Sequence, residues 1–153
     1  MHFAAGTRLL LKGGGEKIKS ISAYTAQLQK HLPPIDTLNA TLQLTNSASG
    51  TLSISFGTTD TGSEYLVACE NGTVHVSKGT VTVTKDGKEV ESKEFPNEAA
   101  GVHQEIKAWG ESLEKGKRNE MQSPEEALAD LEIIESSLRS GEQGGKPIVL
   151  EKQ

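Results

Sequence analysis

The chain has 153 residues, a formal net charge of -5 at pH 7 and an isoelectric point of about 5.4. Its length fits one domain, residues 1–153, that can bury a core without metals or disulfides. The lysines are scattered among acidic residues, which excludes a basic surface for nucleic acid. No run approaches the ~20 apolar residues needed to cross a bilayer. These features predict a cytoplasmic protein with neither a nucleic acid nor a membrane as partner.

The first residues predict a short helix that a glycine turn ends. Apolar residues recur at Phe3, Leu9 and Leu10, and the GGG at 13–15 breaks the element. KIKSISAYTAQL then predicts a strand, which HLPPID ends because two prolines remove backbone donors. In TLNATLQLT, apolar residues alternate strictly with threonine, asparagine and glutamine, and the pattern repeats after NSASG. These two segments predict a hairpin with one apolar and one polar face.

Two further hairpins follow, each marked by its turn. Asn71-Gly72 and Asp86-Gly87 favour the left-handed turn that matches strand twist. Five or six antiparallel strands are therefore predicted between residues 37 and 95. Their alternation is typical of a sheet covered on one face only. Cys69, the only cysteine, excludes an intrachain disulfide and is expected to be a buried thiol in YLVAC.

Two helices are predicted to cover the apolar face. The first runs from about 98 to 115, and the second has Ser123 as N-cap, Pro124 at its first position and Gly141 just past its end. Helical spacing predicts a buried stripe on each, namely Val102, Ile106, Trp109 and Leu113, and then Ala127, Leu131, Ile134 and Leu138. PIVL at 147–150 predicts one more strand. The predicted fold class is α+β, a mainly antiparallel open-faced sheet of about six strands with helices packed on one face.

Few residues carry recognisable chemistry. The four histidines lie on different predicted elements without metal-ligand spacing, so no metal site is predicted. The GGG follows a helix rather than a strand, so it is interpreted as a turn and not as a phosphate loop. Lys30 and His31 lie beside two prolines in a loop, where binding sites do occur. From the residues alone the chain is a half-covered sheet with a large polar face and no assigned function.

The order of the parts carries a resemblance to a known family. The parts that carry it come in this order along the chain: His2, Arg8-Leu9-Leu10, a glycine turn, a strand, TLNATLQLTNSASGTLSISF, EIKAWGESLEKGK and SPEEALADLEIIESSLRSGEQGGKPIVL. In this order they resemble the C-terminal domain of the Gfo/Idh/MocA family of NAD(P)-dependent oxidoreductases, over about residues 2–150. No single motif carries the resemblance, which rests on order and spacing.

The resemblance implies a role for the opening histidine. His2 matches the histidine of the family's DxxxH element, whose aspartate would lie before residue 1. Residues 1–11 are then expected to be a truncated active-site helix, and the N-terminal Rossmann domain with its lysine is expected to be absent from this chain. For the intact protein the family implies hydride transfer between NAD or NADP and a sugar, polyol or related alcohol, with His2 and that lysine handling the hydroxyl proton. The isolated chain is predicted to be inactive.

The resemblance also implies partners. In the family the open sheet commonly mediates subunit association, which makes the polar face around Thr41, Ser53 and Ser55 a candidate homodimer surface, while the helical side meets the cofactor domain. Lys30 and His31 are candidates for the rim of a substrate pocket, and Arg8 is expected to be structural. The alternative hypothesis is a free-standing, non-enzymatic dimeric scaffold or small-ligand-binding module, in which His2 is merely a terminal residue.

Overall fold

The computed structural model describes residues 1–95 and 101–153. Its helices and strands are α1 (His2–Gly13), β1 (Ile18–Ala26), β2 (Thr37–Leu44), β3 (Ser49–Ser55), β4 (Glu64–Cys69), β5 (Gly72–Ser77), β6 (Thr80–Lys85), β7 (Lys88–Glu94), α2 (Val102–Glu114), α3 (Pro124–Glu142) and β8 (Ile148–Val149), with a short 3-10 helix at Glu120–Gln122. The predicted strands, including the terminal one, are thereby confirmed. Residues 98–100 of the predicted first covering helix lie outside the described residues. Within the described ranges, no helix is long and apolar enough to span a membrane.

The described strands form two four-stranded sheets, and every pairing between neighbours is antiparallel. Sheet A has the strand order β3-β2-β1-β8, and sheet B has the order β4-β5-β6-β7. The turn between β6 and β7 has positive φ at both Asp86 (49°) and Gly87 (72°), as the sequence predicted. The α+β class is confirmed. Division into two sheets was not visible in the alternation of side chains, because alternation assigns faces and not strand order.

The chain divides into two compact units. Unit 1 comprises Met1–Thr59 and Met121–Gln153, and so contains α1, sheet A and α3. Unit 2 comprises Asp60–Glu120, with sheet B and α2.

The core of unit 1 lies between the apolar face of sheet A and helices α1 and α3. Each strand contributes alternate residues, so that one face is buried while Thr, Ser and Asn face the other way. Leucine and isoleucine at these positions exclude water from the helix-sheet contact, which is the main stabilising term. The buried residues are Ala4, Ile18, Ile21, Ala23, Leu38, Ala40, Leu42, Leu44, Leu52, Ile133 and Leu150.

Helix α3 begins as predicted but buries a different face. Ser123 is its N-cap and accepts a hydrogen bond at Oγ from the amide of Glu126 (3.2 Å). The predicted stripe is wrong: Ala127 and Leu131 are exposed, and Ile134 and Leu138 are only half-buried. The buried side chains are Ala129, Ile133, Ser136, Ser137 and Ser140.

Small side chains explain that difference, because they let α3 approach β1 closely. Ser140 Oγ accepts a hydrogen bond from the Ala23 amide (2.8 Å) and donates one to the Lys146 carbonyl (2.7 Å). Gly141 lies inside the helix rather than past its end. A glycine is required at this position because a Cβ there would collide with the Thr25 side chain. A pattern search for large apolar residues overlooks such a face.

Two expectations for unit 2 are wrong. The stripe of α2 is exposed rather than buried, with Ile106 at 60% and Trp109 at 57% relative exposure, and Val102 and Leu113 are exposed too. Amphipathic spacing shows which side of a helix is apolar, but it does not show what covers that side. Cys69 is an exposed free thiol rather than a buried one, because it stands at the end of β4.

Candidate functional site

The predicted catalytic residue, His2, lies exposed at the first position of α1. The helix start is fixed by the next residue: the Phe3 ring lies 6.2 Å from the Phe56 ring, centroid to centroid, at an interplanar angle of 50°. Tilted aromatic pairs at this separation are favourable beyond the area they bury. Because Phe56 directly follows β3, this contact places His2 at the end of sheet A where β3 finishes.

The predicted substrate-binding residues, Lys30 and His31, lie exposed on the loop of residues 27–36 that joins β1 to β2. The loop is held by its own hydrogen bonds. The Leu32 amide donates to the Gln29 carbonyl (3.1 Å), and Gln27 Nε2 donates to the same carbonyl (3.2 Å). These bonds form a compact turn that presents both side chains to solvent.

Asp36 fastens this loop at its base. The residue is 5% exposed, and its carboxylate accepts hydrogen bonds from the Leu28 amide (3.0 Å), the Gln29 amide (2.7 Å) and Thr37 Oγ1 (2.9 Å). Burial raises the pKa of Asp36, but these three donors and the nearby His31 together hold that pKa below its usual value. Asp36 is therefore an anion at neutral pH.

The loop and the helix start meet at one end of sheet A. The Phe56 amide donates to the Asp36 carbonyl (2.8 Å), and Gln29 Nε2 donates to the Gly57 carbonyl (3.0 Å). The residues after β3 therefore contact Phe3 on one side and the 27–36 loop on the other. His2 and the adjacent residues Lys30 and His31, which lie far from it in the sequence, are thus brought to the same end of unit 1.

Arg8 has a structural environment, as expected. Its guanidinium, 15% exposed, lies 2.8 Å from a Glu126 carboxylate oxygen and 2.6 Å from one of Asp130, which joins α1 to α3. The Lys12 ammonium, at 3.1 Å, and the guanidinium of Arg8 hold the pKa of Glu126 below its usual value, although partial burial raises it. Arg8 Nε also donates to Gln153 Oε1 (3.1 Å), so the last described residue joins the same network.

A cavity of about 420 Å³ adjoins this network, between α1, the start of β1, the first turns of α3 and the chain's last residues. Its apolar floor includes Leu9, Leu11 and Ile18. Four of the charged residues on its wall, Arg8, Lys12, Glu126 and Asp130, form ion pairs with one another, and Lys17 Nζ donates to the Gln153 carbonyl (2.9 Å). Polar groups that satisfy one another do not converge on a ligand, so we do not place the site here.

The part of the chain that the structure describes contains no group of three or more His, Cys, Asp or Glu residues suited to a metal. Among the histidines, His75 belongs to unit 2 and lies on the polar face of sheet B, where its Nε2 is 3.2 Å from a Glu64 carboxylate oxygen.

Sequence analysis missed Asp36 and Phe56, which hold this end of unit 1 together. A signal for Asp36 was present: an aspartate directly follows Pro-Pro-Ile and precedes the first threonine of a strand, a position that suits side-chain to backbone hydrogen bonds. Phe56 carried no such signal, because the alternation of β3 includes it as one more apolar residue. Its contact with Phe3 is a tertiary one.

Comparisons with known proteins agree with this architecture. The family described as "Oxidoreductase family, C-terminal alpha/beta domain" matches residues 2–150. "Dehydrogenase FPY6" of Fusarium mangiferae is 33% identical over 145 residues, which make up 92% of this chain and 41% of that protein. The chain thus spans about two fifths of the length of that relative.

Two solved structures show the same fold. An oxidoreductase from Thermotoga maritima superposes with a TM-score of 0.77 and 26% identity, over 97% of this chain and 41% of that one. An oxidoreductase from Agrobacterium radiobacter, in complex with NAD⁺, L-tartaric acid and magnesium, gives a TM-score of 0.78 at 16% identity, over 95% of this chain and 46% of that one. At 16% identity the second likeness shows the fold alone. From the family match over residues 2–150, this chain belongs to the Gfo/Idh/MocA family of oxidoreductases and corresponds to its C-terminal domain.

Proposed function

We propose that this chain is the substrate-binding and oligomerisation domain of an NAD(P)-dependent oxidoreductase acting on a sugar, polyol or related alcohol, and that it is inactive without a nicotinamide-binding segment. One observation carries the proposal. In a chain that matches the C-terminal domain of an oxidoreductase family, His2, Lys30 and His31 lie on segments that come together at one end of sheet A.

The proposed chemistry assigns one task to His2. Oxidation of an alcohol removes a hydride from carbon and a proton from the hydroxyl, and a nicotinamide supplies the hydride acceptor. Imidazole is the side chain best suited to accept and return a proton near neutral pH. His2, exposed in the first turn of α1, is the general base in this proposal. Lys30 and His31 bind polar groups of the substrate at the rim.

The described residues do not fit a nicotinamide cofactor by themselves. A dinucleotide's phosphates need backbone amides that are free to donate at a strand-to-helix turn. In the glycine run after α1, the amides of Gly14 and Gly15 instead donate to the carbonyls of Leu11 and Lys12 (both 3.0 Å), which ends the helix. We therefore assign the cofactor to a segment outside this chain. The NAD⁺ complex of the Agrobacterium relative supports a nicotinamide for the whole protein.

The exposed apolar stripe of α2 also supports the assignment of the cofactor to a further segment. Val102, Ile106, Trp109 and Leu113 form a continuous apolar strip on a helix that is otherwise polar. A contiguous apolar surface that is exposed on one chain usually marks a site where another protein segment binds. We assign this strip to contact with the further segment that the longer relatives possess.

Activity is tested by joining this chain to the segment that precedes the matched part of the Thermotoga maritima oxidoreductase. Sugars and polyols are screened with NAD and NADP. We expect turnover by the fusion and none by the chain alone, because the proposal assigns the site that holds the nicotinamide to the added segment. Turnover by the chain alone would contradict the proposal. Binding of a sugar or polyol by the chain alone, with no turnover by the fusion, would favour the free-standing binding module.

The polar face of sheet A is the proposed homodimer surface. Thr41 and Ser53 are exposed there, Ser55 is half-buried, and Tyr24 stands out from the same face at 68% exposure. Neighbouring strands are linked across this face by side chains, with Ser53 Oγ donating to Asn39 Oδ1 (2.7 Å). Such a pre-ordered polar surface with one tyrosine suits an isologous contact, because little side-chain entropy remains to be lost.

Thr41→Lys is expected to dissociate this dimer. In an isologous contact the substitution places like charges on both copies, which we expect to weaken association at least about tenfold. Sedimentation velocity over a concentration series measures the effect. The matched control is Thr61→Lys, which adds the same charge on an exposed threonine before β4. A wild-type chain that stays monomeric at high concentration would overturn the dimer proposal.

A further inference from the structure

We propose that Asp36 is a positioning residue of the candidate site, and that its carboxylate fixes the backbone on which Lys30 and His31 stand. The inference rests on the proposed function in one respect, the role of Lys30 and His31 at the substrate rim. The structural part of the inference can be tested without it.

The carboxylate of Asp36 is fully engaged by its own loop. Oδ2 accepts from the amides of Leu28 (3.0 Å) and Gln29 (2.7 Å), and Oδ1 accepts from Leu28 (3.0 Å) and from Thr37 Oγ1 (2.9 Å). Two successive amides bound to one carboxylate fix the peptide planes directly before Lys30. Hydrogen bonds to an ionised acceptor are stronger than neutral ones. The Asp36 side chain therefore fixes the start of the turn that carries Lys30 and His31.

Gly57, two residues after the end of β3, leaves room for the Asp36 carboxylate. A Cβ at position 57 would lie 2.6 Å from Asp36 Oδ1 and 2.8 Å from its Cγ. Real Cβ atoms do not approach so closely, so any larger residue there would displace the carboxylate. Gly57 is buried, and its φ is not in the left-handed region. The close approach of Asp36 is what requires a glycine.

The same aspartate ties the loop to the start of α1. The Asp36 carbonyl accepts from the Phe56 amide (2.8 Å), and the Phe56 ring contacts Phe3, next to His2. The Asp36 carboxylate thus binds amides of the 27–36 loop, while its backbone carbonyl binds the Phe56 amide just after β3. A shift at Asp36 would alter the position of Lys30 and His31 relative to His2 without touching any of the three.

The first test is amide hydrogen exchange on Asp36→Asn. The amide of asparagine keeps one acceptor oxygen and carries no charge, so the hydrogen bonds from the Leu28 and Gln29 amides lose their charge-assisted strength and the Thr37 hydroxyl competes for that oxygen. We expect exchange at Leu28 and Gln29 to accelerate at least about tenfold, while core amides of β1 and β2 change less than about twofold. The NMR resonances of the His31 ring should also shift, which general destabilisation alone would not cause. Unchanged exchange at residues 28 and 29 would overturn the inference.

A second carboxylate supplies a matched control. Glu132 accepts from the amides of Glu151 (2.7 Å) and Lys152 (2.9 Å) and from Gln153 Nε2 (2.9 Å). Glu132→Gln should accelerate exchange at residues 151–152 and leave residues 28 and 29 unchanged. Acceleration of residues 28 and 29 in both variants would mean general loosening and would overturn the specific role of Asp36. Should Asp36→Asn fail to fold, Gly57→Ala displaces the carboxylate instead and should give the same local acceleration.

The functional arm separates this inference from the proposed function. In the active fusion, Asp36→Asn should raise KM about tenfold and change kcat less than about threefold, because it misplaces binding residues rather than the base. Lys30→Ala should raise KM in the same way. An unchanged KM in Asp36→Asn, with a raised KM in Lys30→Ala, would overturn the inference alone. An unchanged KM in both variants would instead remove Lys30 from the substrate rim and overturn that part of the proposed function.

Discussion

Ile133→Ala is expected to lower the free energy of unfolding by about 3 kcal/mol, because it removes a fully buried side chain and leaves a cavity that neighbours cannot fill. Ile133 is 1% exposed and belongs to the core cluster between α3 and sheet A. Urea unfolding followed by circular dichroism gives the value.

The neighbouring isoleucine makes the test specific to the orientation of α3. Ile134 is half-buried, and Ile134→Ala should cost about 1 kcal/mol. The two variants lose the same atoms from adjacent positions of one helix, so helix propensity cancels between them. A larger loss at Ile134 than at Ile133 would mean that α3 faces sheet A with the side the sequence pattern had predicted.

His2→Ala in the fusion enzyme is expected to lower kcat at least about 100-fold, because a positioned general base contributes about that much or more. Affinity for NADH should stay the same, since the proposed function assigns the nicotinamide to the other segment. Initial rates at saturating substrate, with NADH binding measured separately, give both quantities.

A second histidine controls for the loss of an imidazole as such. His75 lies on sheet B in unit 2, and His75→Ala should leave kcat within about twofold of the unsubstituted fusion. A His2→Ala fusion that keeps its full kcat would show that His2 is not the base.

Local features were predictable from the sequence, because strand alternation, turn dipeptides and caps each depend on a few adjacent residues. Asp86-Gly87 and Ser123-Pro124 stand where the structure has the predicted turn and helix start. The hairpin at Asn71-Gly72 is present, but its turn lies one residue earlier than predicted, because Gly72 already pairs with Cys69 as the first residue of β5 and Asn71 lacks the expected positive φ. The burial of helix faces was not predictable in this way. On α3, serines and alanine contact the sheet through hydrogen bonds and close packing, while larger apolar residues lie at the surface.

The residues of the candidate site were predictable from the sequence, but their arrangement in space was not. His2 followed from the family resemblance, and Lys30 and His31 followed from their loop beside two prolines. The placement of their segments at one end of sheet A depends on the Phe3–Phe56 contact and on the fit of Asp36 against Gly57. These contacts join segments that lie tens of residues apart, and no local pattern encodes them.

The central claim, that this chain is the domain that works with a nicotinamide bound elsewhere, is tested most directly by nicotinamide binding. NADH and NADPH fluorescence is titrated with the chain alone and with the fusion. We expect saturable binding by the fusion in the micromolar range and no saturable change with the chain alone up to about 1 mM. Micromolar binding of either nucleotide by the chain alone would contradict the account.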